Sequence, residues 1–304
     1  MGAVLDALQF AILPVFAFPA IGFAFGLRGA FGRGAAEGVN AYVVGLAVPC
    51  LLFRLMATVD LGEIDWPVLL AYEASLVLLY GFGYLVCRLG FGLAPPEALI
   101  VGMAGAFPNH VFFALPIAES LYGPGAATPI ATMIAVDTLG ILVATILLLE
   151  AMTGRAGTAA TLRSIVGNRL ILAILAGFVF NLTGLGLHEG VDRFLELAAG
   201  SAAPASLFAL GVILSGADLS RFGGPALAAT GMKCVVHPLL GVVLLGAVVE
   251  PTAAWAGPSP LVFAAPCGAM AFVLGLRYGV KVDSAAKAVI LSTALSVPVT
   301  ALFA

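Results

Sequence analysis

The chain has 304 residues, of which 62% are hydrophobic and only 10% charged, with a formal net charge of −3. A soluble domain carries roughly 25% charged residues, so this composition excludes a water-soluble fold and specifies a polytopic membrane protein. With no basic face and no Lys/Arg-rich tail, nucleic-acid binding is excluded as well.

Apolar runs bounded by Gly, Pro and charge predict ten membrane-spanning helices, near residues 6–27, 37–58, 66–89, 97–121, 127–150, 166–187, 194–215, 225–249, 258–280 and 284–304. Each has about the 20 residues that a helix needs to cross hydrocarbon. In lipid the backbone amides must pair within the segment, whereas barrel strands would be about ten residues long and alternating. The opening stretch, MGAVLDALQF, has no positive region ahead of its apolar run and carries Asp6, so it is expected to be retained as the first span rather than removed as a signal peptide. The four cysteines, Cys50, Cys87, Cys234 and Cys267, each lie inside an apolar run without metal-ligand spacing and read as small core residues. No metal or other cofactor is expected.

Sorting the cations by loop parity puts Arg28, Arg33, Arg88, Arg155, Arg163, Arg169, Arg221, Lys233, Arg277, Lys281 and Lys287 on one side and Arg54 and Arg193 on the other. By the positive-inside rule the first side is cytoplasmic and both termini lie outside. The outer side collects acids instead: Asp60, Glu63, Asp65, Glu189, Asp192, Glu196 and Glu250.

The chain also echoes itself. Gly45-Leu-Ala-Val-Pro49-Cys-Leu-Leu-Phe53 in the second run is answered, 155 positions on, by Gly200-Ser-Ala-Ala-Pro204-Ala-Ser-Leu-Phe208 in the seventh. At the same offset Asp137-Thr138 and Thr145 meet Ser292-Thr293 and Thr300, while Ala106-Phe-Pro108 answers Ala264-Ala-Pro266. A duplicated unit of five spans must insert upside down relative to the first, which is inverted-repeat transporter architecture. The expected repeats are residues 1–150 and 166–304, joined by a cytoplasmic linker at 151–165.

The fourth and ninth runs hold the sharpest local signal, Pro108-Asn109-His110 with Pro116 in one and Pro266-Cys267-Gly268 in the other. Proline removes a donor and clashes with the preceding turn, so both helices are expected to break at membrane depth, where irregular backbone is tolerated only inside protein or along a cavity. Paired breaks predict a site with half-helix N-termini aimed at an anion. Its expected lining is Pro108, Asn109, His110, Pro266, Cys267, Gly268 and Met270.

With Ala47-Val-Pro49-Cys-Leu-Leu-Phe53, Asn109 through Pro116 with Tyr122-Gly123, Pro204 through Gly211, His237-Pro238, and Pro266-Cys-Gly268 through Tyr278-Gly279 to Ser292-Thr293, the chain resembles the auxin efflux carrier family over nearly its whole length. The resemblance implies an all-α fold of ten transmembrane helices with helices 4 and 9 broken and crossing. Spans 1, 2, 6 and 7 would form a scaffold, and spans 3–5 and 8–10 a transport domain. It further implies an elevator-type carrier of a small organic anion such as a carboxylate. Having only a short linker, the chain looks like a compact bacterial member of the inner membrane, with homodimerisation through the scaffold left open. Members often place an Asn in the ninth-span break too; this chain has Ala269-Met270-Ala271, so the Asn role carries over to Asn109 alone.

Five ionisable side chains sit at depth in these runs, Glu73, His110, Asp137, His237 and, nearer an end, Glu119. Such groups are functional suspects because lipid makes them costly. An amide and an imidazole at the break can donate to a carboxylate. His110 can instead bond a neighbouring carbonyl. Asp137 and Glu73 would repel an anion, so they are expected to couple a proton or cation or to partner a buried donor. His237 stands before Pro238 and reads as local helix repair or coupling. Arg54 is expected to draw anions into an outer vestibule or to snorkel to the interface. Gly22 and Gly26, with a small-residue spacing of four, predict close helix packing.

No Walker A motif, HExxH or nucleophile-base couple appears, so neither an ATP-driven pump nor an enzyme is expected. A sodium- or proton-coupled carrier of the bile acid symporter or sodium/proton antiporter type is the alternative within transport, although the ninth-run break offers few side-chain oxygens. A non-transporting receptor is the alternative outside it.

Overall fold

A computed structural model describes residues 6–154, 158–216 and 221–303. Among these residues the regular structure is helical, with one isolated antiparallel β-bridge. In chain order we label α1 (Leu8–Leu27), α2 (Arg33–Thr58), α3 (Trp66–Gly90), α4 (Pro95–Ala106), α5 (110–122), α6 (Pro124–Met152), α7 (Thr158–Val166), α8 (Arg169–Leu182), α9 (Glu189–Leu214), α10 (Gly224–Ala247), α11 (Pro258–Ala264), α12 (Met270–Tyr278) and α13 (Asp283–Phe303). Seven of them, α1, α2, α3, α6, α9, α10 and α13, are long and apolar enough to cross a membrane. The expected fourth and ninth spans are each split, α4 from α5 and α11 from α12.

Proline shapes several of these helices in one recurring way. Pro14, Pro49, Pro116 and Pro238 each follow, by two residues, a widened turn at Leu8–Ile12, Val43–Ala47, His110–Ala114 or Met232–Val236. Each widened turn contains the residue four before the proline, the carbonyl that the ring would strike and the missing N–H would leave unpaired. Shifting the ladder by one residue relieves both problems without breaking the helix.

The expected span at 166–187 is shorter, because Asn168 caps α8 by accepting the Leu170 N–H at 3.0 Å and the chain turns out at Gly184, whose φ of 67° is left-handed. Arg155, counted in the charge bias, lies outside the described residues. A larger difference concerns Lys233, which parity sorting assigns to the basic side. The side chain is fully buried within α10 and does not count toward a charge bias of the loops.

Close backbone approach holds α1 to α9 and α2 to α8. A Cβ at Gly22 would stand 2.1 Å from the Phe208 carbonyl oxygen, and one at Gly26 would stand 2.0 Å from Ser215 Oγ. This is the packing that the Gly22/Gly26 spacing predicts. Gly177 meets Phe53 O of α2 in the same manner, and Asn181 Nδ2 donates to Ala57 O and Val59 O. Among the acid-rich loops, Asp65 caps α3 through the Val68 N–H and also accepts the Thr252 N–H at 2.8 Å, while Trp255 Nε1 donates to Glu63 O at 2.9 Å. The loops before α3 and α11 therefore lie together.

Candidate functional site

The two broken helices meet at their breaks. Pro108 and Cys267 form the antiparallel bridge, in which the Asn109 N–H donates to Pro266 O at 2.9 Å and the Gly268 N–H to Phe107 O at 2.7 Å. Residues unable to continue a helix thus satisfy one another across the crossing, which answers the cost of freed backbone groups away from water. Gly268 is required by contact: a Cβ there would stand 2.9 Å from the Phe107 ring and 3.0 Å from Pro108 O.

Each break is held by the following long helix. Ser292 of α13 accepts the Cys267 N–H on its Oγ at 3.0 Å. Asp137 of α6 pairs through Oδ2 with His110 Nε2 and accepts the Tyr72 hydroxyl at 2.7 Å on the same oxygen. Asp137 and Ser292 are the two residues that the 155-position offset aligns. Behind them the Glu73 carboxyl lies against that of Asp137, within hydrogen-bonding reach when one of the two is protonated.

A cavity of about 100 Å³ opens beside the crossing. Asn109, His110, Pro108, Gly268 and Met270 line it, together with Asn40, Thr138 and Ser206 and an otherwise apolar wall. Asn109 is buried, and its Nδ2 has no partner among the described residues. A buried amide donor without an acceptor costs about 1–3 kcal/mol, so a ligand acceptor there gains by satisfying it. The first N–H groups of α5 and α12 lack intrahelical acceptors by construction and lie at the same crossing. The lining contains no Lys or Arg.

Of the sequence-predicted residues, Pro266 and Cys267 build the crossing but do not line the cavity. His237 is also absent from the lining; its Nδ1 accepts from Lys233 Nζ at 2.7 Å, so it partners a buried cation rather than repairing its own helix. Arg54 is paired: Nε and Nη2 donate to the two oxygens of Asp192 at 2.6 and 3.2 Å. It lines a second cavity of about 560 Å³ with Glu119 and Glu196. Val111 borders both cavities. Along α2 the first lining runs from Asn40 to Leu52 and the second from Leu51 to Arg54, so the two cavities adjoin there. Sequence reasoning missed Lys233, whose spacing of four from His237 on an apolar helix was the available signal. Among the described residues no group of three or more His, Cys, Asp or Glu side chains could hold a metal ion.

A family model described as membrane transport protein matches the chain twice, over residues 8–164 and 156–304. The chain is 27% identical over 274 residues, 85% of its own length and 83% of the relative's, to a Rhizobium meliloti protein named "putative malonate transporter". It is also 26% identical over 294 residues, covering 94% of this chain and 93% of the relative, to an "uncharacterized transporter" of Methanothermobacter thermautotrophicus.

Proposed function

Because the chain belongs to the membrane transport protein family, that of the auxin efflux carriers, we propose that it is a secondary transporter of a small organic anion bound where α4–α5 and α11–α12 cross. In this reading the two pairs are the fourth and ninth of ten crossings, and residues 1–150 and 166–304 are inverted repeats in a bacterial inner membrane with both termini outside. The α1, α2, α8 and α9 group is the scaffold; the remaining spans move against it as an elevator.

The observation that carries the reading is the Asn109 amide, buried, unpartnered and facing the cavity at the start of a half-helix. A carboxylate would accept from Nδ2 and from the free N–H groups of α5 and α12, so that neutral donors and helix dipoles balance its charge. The relative named for malonate, a dicarboxylate, supports this class. The elevator reading is supported by where the cavities lie: both are walled on one side by α2 and α9 and on the other by α5. Val111 borders both, so in this reading a shift of α5 past α2 would exchange access from one cavity to the other. Tyr72, Asp137, His110 and Glu73, directly behind the amide, are the groups through which a proton could be coupled.

The test is solid-supported-membrane current from proteoliposomes given malonate, succinate, indole acetate and a bile acid, with and without Na⁺ and a pH gradient. A carboxylate current that falls at least about tenfold in Asn109→Ala, the loss of one hydrogen bond to a charged group, is expected. Folded wild-type protein that is silent to every carboxylate, or a current that Asn109→Ala leaves intact, contradicts the reading.

A further inference from the structure

Lys233 is enclosed completely in a helix long and apolar enough to span a membrane. Its ammonium donates to His237 Nδ1 at 2.7 Å, to Phe263 O at 3.0 Å and to Val262 O at 3.4 Å, which occupies all three of its protons. The two carbonyls belong to the last turn of α11, the half-helix that ends at the crossing. Carbonyls at a helix C-terminus carry the negative end of the dipole. In broken-helix carriers such ends, with unwound backbone, are where a coupling cation is coordinated.

The surroundings of Lys233 resemble those of a bound ion more than those of an ion pair. Among the described residues no carboxylate lies within 4.0 Å of Nζ. Asp137 of α6 acts on it from further off, as do His110 of α5, Cys267 at the crossing and the adjacent Cys234. His237 is itself packed between Tyr72 of α3 and Phe263 of α11, with ring centroids 6.2 and 4.9 Å away. A buried charge of this kind is retained only where its solvation by fixed dipoles is strong.

We propose that Lys233 is a tethered cation: its ammonium occupies the half-helix C-terminal site that a free monovalent cation would otherwise fill, and anion binding at Asn109 therefore needs no Na⁺. The inference rests on the proposed function only in taking the crossing as the anion site. Lys233 is thus a positioning residue, setting the charge and geometry of the α11 end of the crossing while Asn109 meets the anion.

The test compares thermal unfolding midpoints of the detergent-solubilised full chain in choline chloride, NaCl and methylammonium chloride at equal ionic strength, without any anion substrate. Wild type should be indifferent to the three cations. Lys233→Ala should melt at least about 5 °C lower in choline chloride and recover part of that loss with Na⁺ or methylammonium, which can enter the vacated space. Lys233→Met, which refills the space without charge, should show no such recovery. Wild type stabilised by Na⁺, Lys233→Ala as stable as wild type, or a loss that neither cation reverses would each overturn the proposal. If Lys233→Ala does not accumulate, the wild-type arm still decides. A carboxylate current that requires Na⁺ would overturn this proposal while upholding the anion carrier, whereas a silent carboxylate panel would leave the melting result standing.

Discussion

At the break between α4 and α5, Asn109 and His110 present an amide and an imidazole to the cavity, with the Asp137 carboxylate behind them. At the break between α11 and α12, Gly268 and Met270 present backbone and a thioether, a neutral Ser292 hydroxyl holds the Cys267 N–H, and Lys233 covers the carbonyl end. The backbones are joined as near equals by one pair of hydrogen bonds. Their side chains differ in charge and in reach. Helix geometry alone brings two N-termini and two C-termini to the crossing, and the side chains then divide them: in the proposed reading the first break serves an anion and the second holds a cation built into the chain.

The crossing itself can be broken by filling its closest approach. Gly268→Val would press a branched side chain against the Phe107 ring and Pro108 O, with about 3 kcal/mol of destabilisation expected and a lower thermal midpoint to measure it. Transport should be lost with it. The first break alone is probed by Tyr72→Phe, which removes a donor to Asp137 and keeps the ring contact with Phe263 at 5.4 Å. That should cost about 1–2 kcal/mol in thermal stability and lower the initial current, while leaving the second break and its indifference to Na⁺ unchanged. The smallest effect is expected from Arg54→Gln, which removes a half-exposed pair with Asp192 outside the crossing. About 0.2–1 kcal/mol is expected, with the current at saturating substrate changed less than about threefold. A larger loss would move part of anion recognition out to the second cavity.

Both breaks are legible in the sequence because Pro108 and Pro266 recur at matching places of the two halves, each beside residues that favour irregular backbone; proline alone is not enough, since Pro19 and Pro298 lie inside continuous helices. Asn109 and His110 are legible for the same reason, as polar residues beside an expected break. The pairing of His110 with Asp137, 27 positions apart, is set by how α5 lies against α6, which no local pattern encodes. Lys233 misleads for a physical reason. Sorting by loop parity treats every cation as seeking water, which holds for long side chains near helix ends and fails where carbonyls of a broken helix solvate the charge internally. Arg54 is similar in kind, because its partner Asp192 lies 138 positions away. Cys267 and Pro266 sit in the right segment, but the bridge turns them into the joint instead of the wall.

The measurement that tests the division most directly is equilibrium binding, by isothermal titration calorimetry, of whichever carboxylate gives the largest current, to wild type, Asn109→Ala and Cys267→Ala. The account predicts that Asn109→Ala weakens binding at least about tenfold at a thermal midpoint no lower than that of wild type, whereas Cys267→Ala stays within about twofold of wild type in affinity. Equal weakening in both variants, or full affinity in Asn109→Ala, would contradict the placement of anion recognition on the first break.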